Sequence, residues 1–127
     1  MQEKHLYEYA VIRVVPRVER EEFVNAGIIL FCKRAKFIKV LFRVDVAKLQ
    51  SLSPDFDLEQ LECNLVALEK ISHGAKDGGP IAAFEIPERF RWLTAIRSSA
   101  IQTSRPHAGL TANLDETLKR LFEELVL

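Results

Sequence analysis

The sequence predicts an α+β fold, in which an antiparallel meander sheet of three or slightly more strands carries three to four helices. Three β-branched and aromatic runs occupy residues 1–44, and short polar connections separate them, which is typical of a meander. From residue 45 onward, apolar residues instead recur at helical spacing. Strands followed by helices indicate an α+β architecture, and a length of 127 residues predicts one domain, residues 1–127.

The predicted strands cover residues 6–15, 23–32 and 37–44. Pro16 ends the first strand, because proline has no backbone N–H to donate to a ladder. The second strand is apolar on both faces after Asn25, which is typical of a central strand covered on both sides. The third carries Lys39 and Arg43 on one face only, so we expect a half-buried strand at a sheet edge, where lysine discourages foreign pairing.

The helices are predicted from capping residues and apolar stripes. Asp45 and Asp57 are suitable N-caps for a short helix and a longer one, and Gly74 is a suitable stop for the second. Pro87 fits the first turn of a third helix. The last helix, which Asn113 would cap, has the most regular stripe. That stripe consists of Leu114, Leu118, Leu121, Phe122 and Leu125. Residues 98–109 have no helical period, which indicates a loop or a short strand.

The charges balance, with 18 basic and 18 acidic residues. Binding to nucleic acid or to a membrane surface rests on a basic excess, so we expect neither partner. No apolar run approaches ~20 residues, so we expect no membrane span or signal peptide, and a cytoplasmic protein. Cys32 and Cys63 lack metal-like spacing with each other or with the histidines, so we expect no metal or cofactor, and both thiols in or near the core.

The zero net charge hides two basic stretches. No acidic residue lies between Glu22 and Asp45, or between Glu88 and Asp115, whereas both stretches contain several basic residues. If the stretches meet in space, they form a basic face. If they do not, they are two separate solvated edges.

The connection between the first two strands is the first candidate site. Its residues are Arg17, Arg20, Glu22, Asn25 and Gly27. Asn25 and Gly27 are two positions apart, so strand geometry predicts that they share a face. A buried Asn needs hydrogen-bond partners, and Gly27 permits a bulge or the close approach of a backbone or ligand. Either Asn25 holds the turn from Arg20 to Glu22 in shape, or the cluster forms a pocket for a ligand or partner.

The second candidate site consists of Arg97, Ser99, Arg105 and His107. Arginine, serine and backbone amides are suitable for holding phosphate or carboxylate, and His107 is a candidate general acid or base. No phosphate-binding Gly-rich loop, dinucleotide fingerprint or nucleophile motif accompanies them, so any catalytic residue stays unassigned and an enzyme is disfavoured. The alternative is that His107 is an ordinary hydrogen-bonding residue of a polar loop.

Two other chemistries have weaker support. Glu19, Glu22 and Asp45 are carboxylates that in principle suit Mg²⁺, although carboxylates are common near turns. Tyr7 and Tyr9 share a strand face and could stack on bases, but a role in the core or on the sheet surface is favoured.

The segment YEYAVIRVVPRVEREEFVNAGIIL, residues 7–30, resembles the opening signature of the bacterial domain-of-unknown-function family 3037. The pattern of that family is a Tyr, an apolar strand, a Pro and then R-x-E-x-x-N-x-G, which Arg20, Glu22, Asn25 and Gly27 match. The tail, from RSS at Arg97 through SRPHAGL to the closing helix, is also similar. The resemblance therefore covers nearly the whole chain.

The resemblance implies a small bacterial protein without an established activity. Genes of that family often lie beside genes for kinases similar to the HipA toxin family, which implies a partner or regulator role and assigns no catalytic residue. The first functional hypothesis is therefore a non-enzymatic binding or regulatory module for a protein partner, with a HipA-like kinase as the candidate.

The alternative hypothesis is a phosphate- or nucleotide-binding enzyme that uses residues 97–109 to hold the anion. A third, nucleic-acid binding through residues 33–43, is disfavoured by the neutral charge. An open sheet edge could also be completed by a second copy of the chain, which would make a homodimer.

Overall fold

The computed structural model describes residues 3–95 and 99–127, and within them the chain forms five strands, four α-helices and two short 3₁₀ helices. The strands are β1 (His5–Val14), β2 (Val24–Cys32), β3 (Phe37–Phe42), β4 (Ile101–Thr103) and β5 (His107–Thr111). The α-helices are α1 (Val46–Leu52), α2 (Leu58–His73), α3 (Ile86–Leu93) and α4 (Leu114–Leu125). The 3₁₀ helices are Val18–Arg20 and Pro80–Ala83. The predicted α+β class is confirmed, and the sheet has more than the three strands that we predicted as a minimum.

The sheet is antiparallel, with the order β3-β2-β1-β4, and β5 also pairs with β1. β4 and β5 lie on the same side of β1, one after the other. Ser104 joins them: its N–H donates to the carbonyl of Val11 at 2.8 Å, and its Oγ accepts from the N–H of Val11 at 2.9 Å. The segment predicted as a loop or short strand is therefore two short strands that complete the outer side of β1.

Helices cover both faces of the sheet, which explains why β2 is apolar on both faces. Ile29 and Phe31 of β2 pack on the side of α2 and α3. Ile28 and Leu30 pack on the opposite side, against the leucine stripe of α4. Burying each such side chain contributes about 1.5–3 kcal/mol, so these two clusters hold the three layers together. The prediction of a central, doubly covered strand is confirmed.

The predicted capping residues begin the helices. The side chains of Asp45, Asp57 and Asn113 each accept a hydrogen bond from the backbone N–H three residues further on, at 3.0–3.1 Å. Gly74 ends α2 with a φ of 66°, a left-handed conformation that glycine adopts without steric cost. None of the helices that the structure describes is long and apolar enough to cross a membrane.

The two cysteines lie in different environments. Cys32 is fully buried, as expected, but Cys63 is exposed on α2. The expectation for Cys63 was wrong because Leu61 and Leu65 form the buried stripe of this helix, and a residue between them faces outward.

A buried cation joins α2 to α3. Arg89 is 9% exposed, and its Nη1 donates to the carbonyls of Ile71 and Ser72 at 3.3 and 3.0 Å. These carbonyls belong to the last turn of α2, where a positive charge is favourable. Because the guanidinium is enclosed between two helices, we assign Arg89 to the fold.

Candidate functional site

Ion pairs cover the connection between β1 and β2. Arg17 Nε donates to Glu19 Oε1 at 3.1 Å, and Arg20 Nε donates to Glu22 Oε1. All four side chains are exposed, on or beside the 3₁₀ helix Val18–Arg20. Exposed ion pairs contribute little to folding stability. These pairs therefore set the arrangement of charge on the surface more than they stabilise the fold.

The same contacts shift the titration of the charged groups. The hydrogen bond from Arg20 lowers the pKa of Glu22 below its ordinary 4.5 and raises the pKa of Arg20. The pKa of Glu19 is also lowered, first by a hydrogen bond from its own backbone and then by Arg17. Both ion pairs are therefore charged at neutral pH, and the exposed Glu21 adds a third acidic side chain to the connection.

An exposed aromatic side chain adjoins these charges. Phe23 is 46% exposed, and the guanidinium carbon of Arg13 lies 4.2 Å from the centre of its ring, a cation–π contact. Neither residue was singled out from the sequence, although an aromatic residue directly after a polar connection was an available signal. We call Arg17, Glu19, Arg20, Glu22 and Phe23 the hairpin surface.

A shallow cavity of about 280 Å³ adjoins Phe23. Its lining includes Lys48 and the residues that follow the last turn of α4, Val126 and Leu127. Leu127 is 59% exposed, so a second exposed apolar side chain lines this cavity together with Phe23.

Asn25 is bonded to α4 and not to the hairpin. Its Nδ2 donates to the backbone carbonyl of Leu125 at 3.0 Å, which ties the start of β2 to the last turn of α4. Its Oδ1 is buried and has no hydrogen-bond partner among the described residues. Asn25 therefore has a structural role, but at a different place from the turn between Arg20 and Glu22 where we expected it.

A β-bulge separates Asn25 from Gly27. Arg13 lies opposite Asn25 and Ile12 lies opposite Gly27, so Ala26 is an extra residue in β2. The bulge interrupts the alternation of side chains: Asn25 reaches α4, whereas Gly27 adjoins Ile12 on the α2 side. The prediction that Asn25 and Gly27 share a face was therefore wrong.

Gly27 allows a neighbouring backbone to approach closely, which was one of its expected roles. A Cβ atom at this position would lie 2.5 Å from the carbonyl oxygen of Leu41 on β3. No side chain fits in this space unless a strand moves.

The residues of the second candidate site have separate surroundings. Arg97 lies outside the described residues. Ser99 Oγ donates to the carbonyl of Ile101 at 2.7 Å. Arg105 and His107 are exposed, and the ring of His107 lies 5.4 Å from that of Tyr9.

The second candidate site is spread along β1. The carbonyl of Ala100, beside Ser99, accepts from the N–H of Val15 at 2.7 Å, whereas His107 lies opposite Tyr9. Six residues of extended chain separate these positions, about 20 Å at ~3.3 Å per residue. The structure therefore places Ser99 at the hairpin end of the sheet and His107 toward the other end, too far apart to hold one small anion together.

The two basic stretches meet in a surface of mixed charge. Lys33 and Arg91, one from each stretch, line a cavity of about 510 Å³ between α3 and the sheet. Glu8, Glu85 and Glu88 line the same cavity. The meeting place is therefore not a uniformly basic face.

Within residues 3–95 and 99–127, no group of three or more His, Cys, Asp and Glu side chains is placed to hold a metal ion. Glu19 and Glu22, considered above for Mg²⁺, each form an ion pair with an arginine.

Comparison with known proteins gives one match. The family described as Protein of unknown function (DUF3037) matches residues 9–126, which include the hairpin surface and α4. No curated protein and no solved structure shows significant similarity to the chain. Because the match covers nearly the whole chain, as the signature in residues 7–30 and the similar tail implied, the chain belongs to the DUF3037 family.

Proposed function

We propose that this chain is a non-enzymatic binding module that engages a protein partner through the hairpin surface. The observation that carries the proposal is the exposed Phe23 beside four charges that contribute little to the fold. Aromatic and arginine side chains are the usual anchors of protein interfaces, and charged residues are typical of the rim.

The side chains of the hairpin surface contact one another without a partner. Each arginine is held by a carboxylate two residues away, and Arg13 holds the ring of Phe23. Side chains that are already held in place lose less conformational entropy on binding, which favours affinity. A fixed pattern of opposite charges also selects a partner with the complementary pattern.

The cavity beside Phe23 suits a single side chain of a partner. Its volume of about 280 Å³ lies below the ~300–1,000 Å³ usual for small-molecule sites. Its lining is mixed: Phe23 and Leu127 add apolar side chains that suit an aliphatic group, whereas Asn25 and Lys48 add polar groups. Lys48 at the rim favours a neighbouring carboxylate on the partner.

The family resemblance suggests the kind of partner. The resemblance implies genes that often lie beside those for HipA-like kinases, so we propose a kinase of this kind as the first protein to test. The proposed setting is the bacterial cytoplasm.

A phosphate- or nucleotide-binding enzyme is the second candidate, supported by two exposed side chains that are two residues apart in the sequence, Arg105 and His107. A panel of nucleotides in a thermal-shift assay tests it, since a ligand at 100 times its dissociation constant stabilises the fold by ~2.7 kcal/mol. A nucleotide-induced rise in melting temperature that Arg105→Ala abolishes would support this candidate. No rise with any nucleotide would count against it.

Capture of partners by the tagged protein from its host cells tests the first proposal. We expect Arg20→Ala and Phe23→Ala each to lose a partner that the wild type retains, while circular dichroism and the melting temperature stay close to wild type. Arg120→Ala is the matched control, because Arg120 pairs with Glu124 on α4 and is 56% exposed, against 57% for Arg20. Equal retention of the partner by all three variants would contradict the proposal.

A further inference from the structure

The two edges of the sheet are protected differently. The outer edge strand β3 is contacted by α2 and α4 and carries Lys39, whose Nζ bonds Asp115 at 2.6 Å. β5 packs mainly against β1, and although Arg105 and Pro106 directly precede it, the strand itself contains no Lys, Arg, Asp, Glu or Pro and no bulge. Natural proteins protect a free edge with such devices, because its unpaired N–H and C=O groups can pair with another strand. The edge of β5 therefore lacks the protection that β3 has.

Two apolar side chains stand beside this free edge. Leu6 and Leu110 are cross-strand partners on β1 and β5, and they are 65% and 64% exposed. Ala108 lies on the same face of β5 as Leu110, two residues before it, and is also exposed. An unpaired backbone edge next to exposed apolar side chains is the arrangement that strand addition would cover.

We propose that β5 pairs with β5 of a second copy of this chain, antiparallel and about a two-fold axis at Gly109, so that two five-stranded sheets form one continuous sheet. The occupant is a second copy because this edge is complementary to itself. In that register Ala108 of one copy lies opposite Leu110 of the other, and His107 lies opposite Thr111. Apolar residues thus meet apolar ones on one face, and polar residues meet polar ones on the other.

The residues flanking β5 also fit this register. Arg105 of one copy lies opposite Asn113 of the other, so no two like charges are brought together, which would destabilise the pairing. A two-fold axis makes each contact occur twice, as in most homodimers.

Gly109 suits the position on the axis. The side chain of Tyr7 lies against it, since a Cβ atom there would be 2.5 Å from Tyr7 Oη. The ring of Tyr7 therefore covers the α4 side of this position, and the axis residue itself adds no side chain to the new strand pair. This surface begins at the Leu6 end of β1, whereas the hairpin surface follows its other end, so the dimer does not depend on the proposed partner binding.

Two double variants that differ at one position test the register. In A108K/L110K, the lysine introduced at position 108 lies opposite the lysine introduced at position 110 of the other copy. In A108K/L110E, it lies opposite an introduced glutamate instead. Both variants remove the same apolar side chains, and both place the new lysine opposite Glu8 of its own β1. Circular dichroism checks that each is folded, and A108E/L110E against A108E/L110K repeats the test if the lysine pair does not fold.

Sedimentation equilibrium over a range of concentrations gives the result. We expect the wild type to be a dimer, A108K/L110E to remain one, and A108K/L110K to dissociate with a dimer dissociation constant at least about tenfold higher, because two contacts change sign. A wild type that is monomeric at all concentrations, or two variants that dimerise equally well, would overturn the proposal.

Discussion

The side-chain amide of Asn25 donates a hydrogen bond to the backbone carbonyl of Leu125, 100 residues later in the chain, at 3.0 Å. The bond supplies a partner to one of the carbonyl groups that a helix leaves unpaired at its C-terminus. The residues of the signature R-x-E-x-x-N-x-G therefore have two different roles. Asn25 and Gly27 serve the packing of β2 against its neighbours, whereas Arg20 and Glu22 form an exposed pair on the hairpin surface.

Asn25→Ala should lower the free energy of unfolding by about 1 kcal/mol, because one hydrogen bond of the half-buried amide is lost. Asn25→Asp should cost more, about 2 kcal/mol at neutral pH, because a carboxylate cannot donate to Leu125 and meets the negative end of α4. Urea denaturation measures both. Equal stability of Asn25→Asp and wild type at pH 7 would show that the bond to Leu125 does not contribute.

Gly27→Ala should lower the free energy of unfolding by about 2–3 kcal/mol, because its Cβ would collide with the backbone of β3. Gly79→Ala is a contrasting change, since Gly79 has no atom within 4 Å of an added Cβ. That change brings backbone strain alone, about 1–3 kcal/mol, because a φ of 85° with a ψ of −173° is open essentially to glycine only. Equal stability of Gly27→Ala and wild type in urea denaturation would contradict the close approach of β3.

Arg20→Ala should raise the pKa of Glu22 toward its ordinary 4.5, because the hydrogen bond from Arg20 is the largest cause of the lowering. Arg17→Ala should raise the pKa of Glu19 only part of the way to its ordinary value, because the largest cause of that lowering is a backbone hydrogen bond. Carboxyl-detected NMR titration measures both groups. An unchanged pKa of Glu22 in Arg20→Ala would show that the pair does not form in solution.

The Arg20–Glu22 pair also predicts how the order of the hairpin surface depends on pH. A carboxyl whose pKa is lower in the folded state adds stability above its unfolded pKa and loses it as pH falls through the folded value. The ordering of the hairpin surface by Arg20 and Glu22 should therefore persist at neutral pH and be lost below the ordinary 4.5 of the carboxyl. Partner binding, if it uses this surface, should weaken over that acidic range while the fold persists.

Lys36→Gly should stabilise the protein by about 0.5–1 kcal/mol. Lys36 closes the turn between β2 and β3 with a φ of 52°, a left-handed conformation that costs a lysine energy and a glycine almost none. Lys33→Gly, in the same turn and without a positive φ, should not stabilise. The melting temperatures of both variants and the wild type test this prediction. A melting temperature of Lys36→Gly below that of the wild type would contradict the strain at this position.

Local patterns were sufficient to predict the helices and the main strands. Asp57 and Asn113 cap the helices that begin directly after them, and such contacts are readable within four residues. The partner of Asn25 is 100 residues away, so only the folded chain shows it. The bulge at Ala26 was also hidden, because β2 is apolar on both faces and a slipped register leaves no trace in its pattern.

The rest of the candidate site depended on pairing along β1. β4 and β5 are too short to show a period of their own, and they form by hydrogen bonding to a strand about 90–105 residues earlier. That pairing separates Ser99 from His107, which the sequence had suggested as one cluster. Phe23 was read as the first residue of a strand, and only the structure shows that it is exposed.

The measurement that tests the central claim most directly is partner capture by a charge-exchange variant, R20E/E22R. This variant keeps an ion pair at the same place but reverses its direction, so the fold should not change. Gly27→Ala serves as the comparison, since it should lower stability from the other half of the signature, and Gly27 does not line the cavity beside Phe23. We predict that R20E/E22R loses the partner at an unchanged melting temperature, while Gly27→Ala retains the partner as long as it is folded. Retention of the partner by the folded R20E/E22R variant would contradict the claim that this half of the signature forms the binding surface.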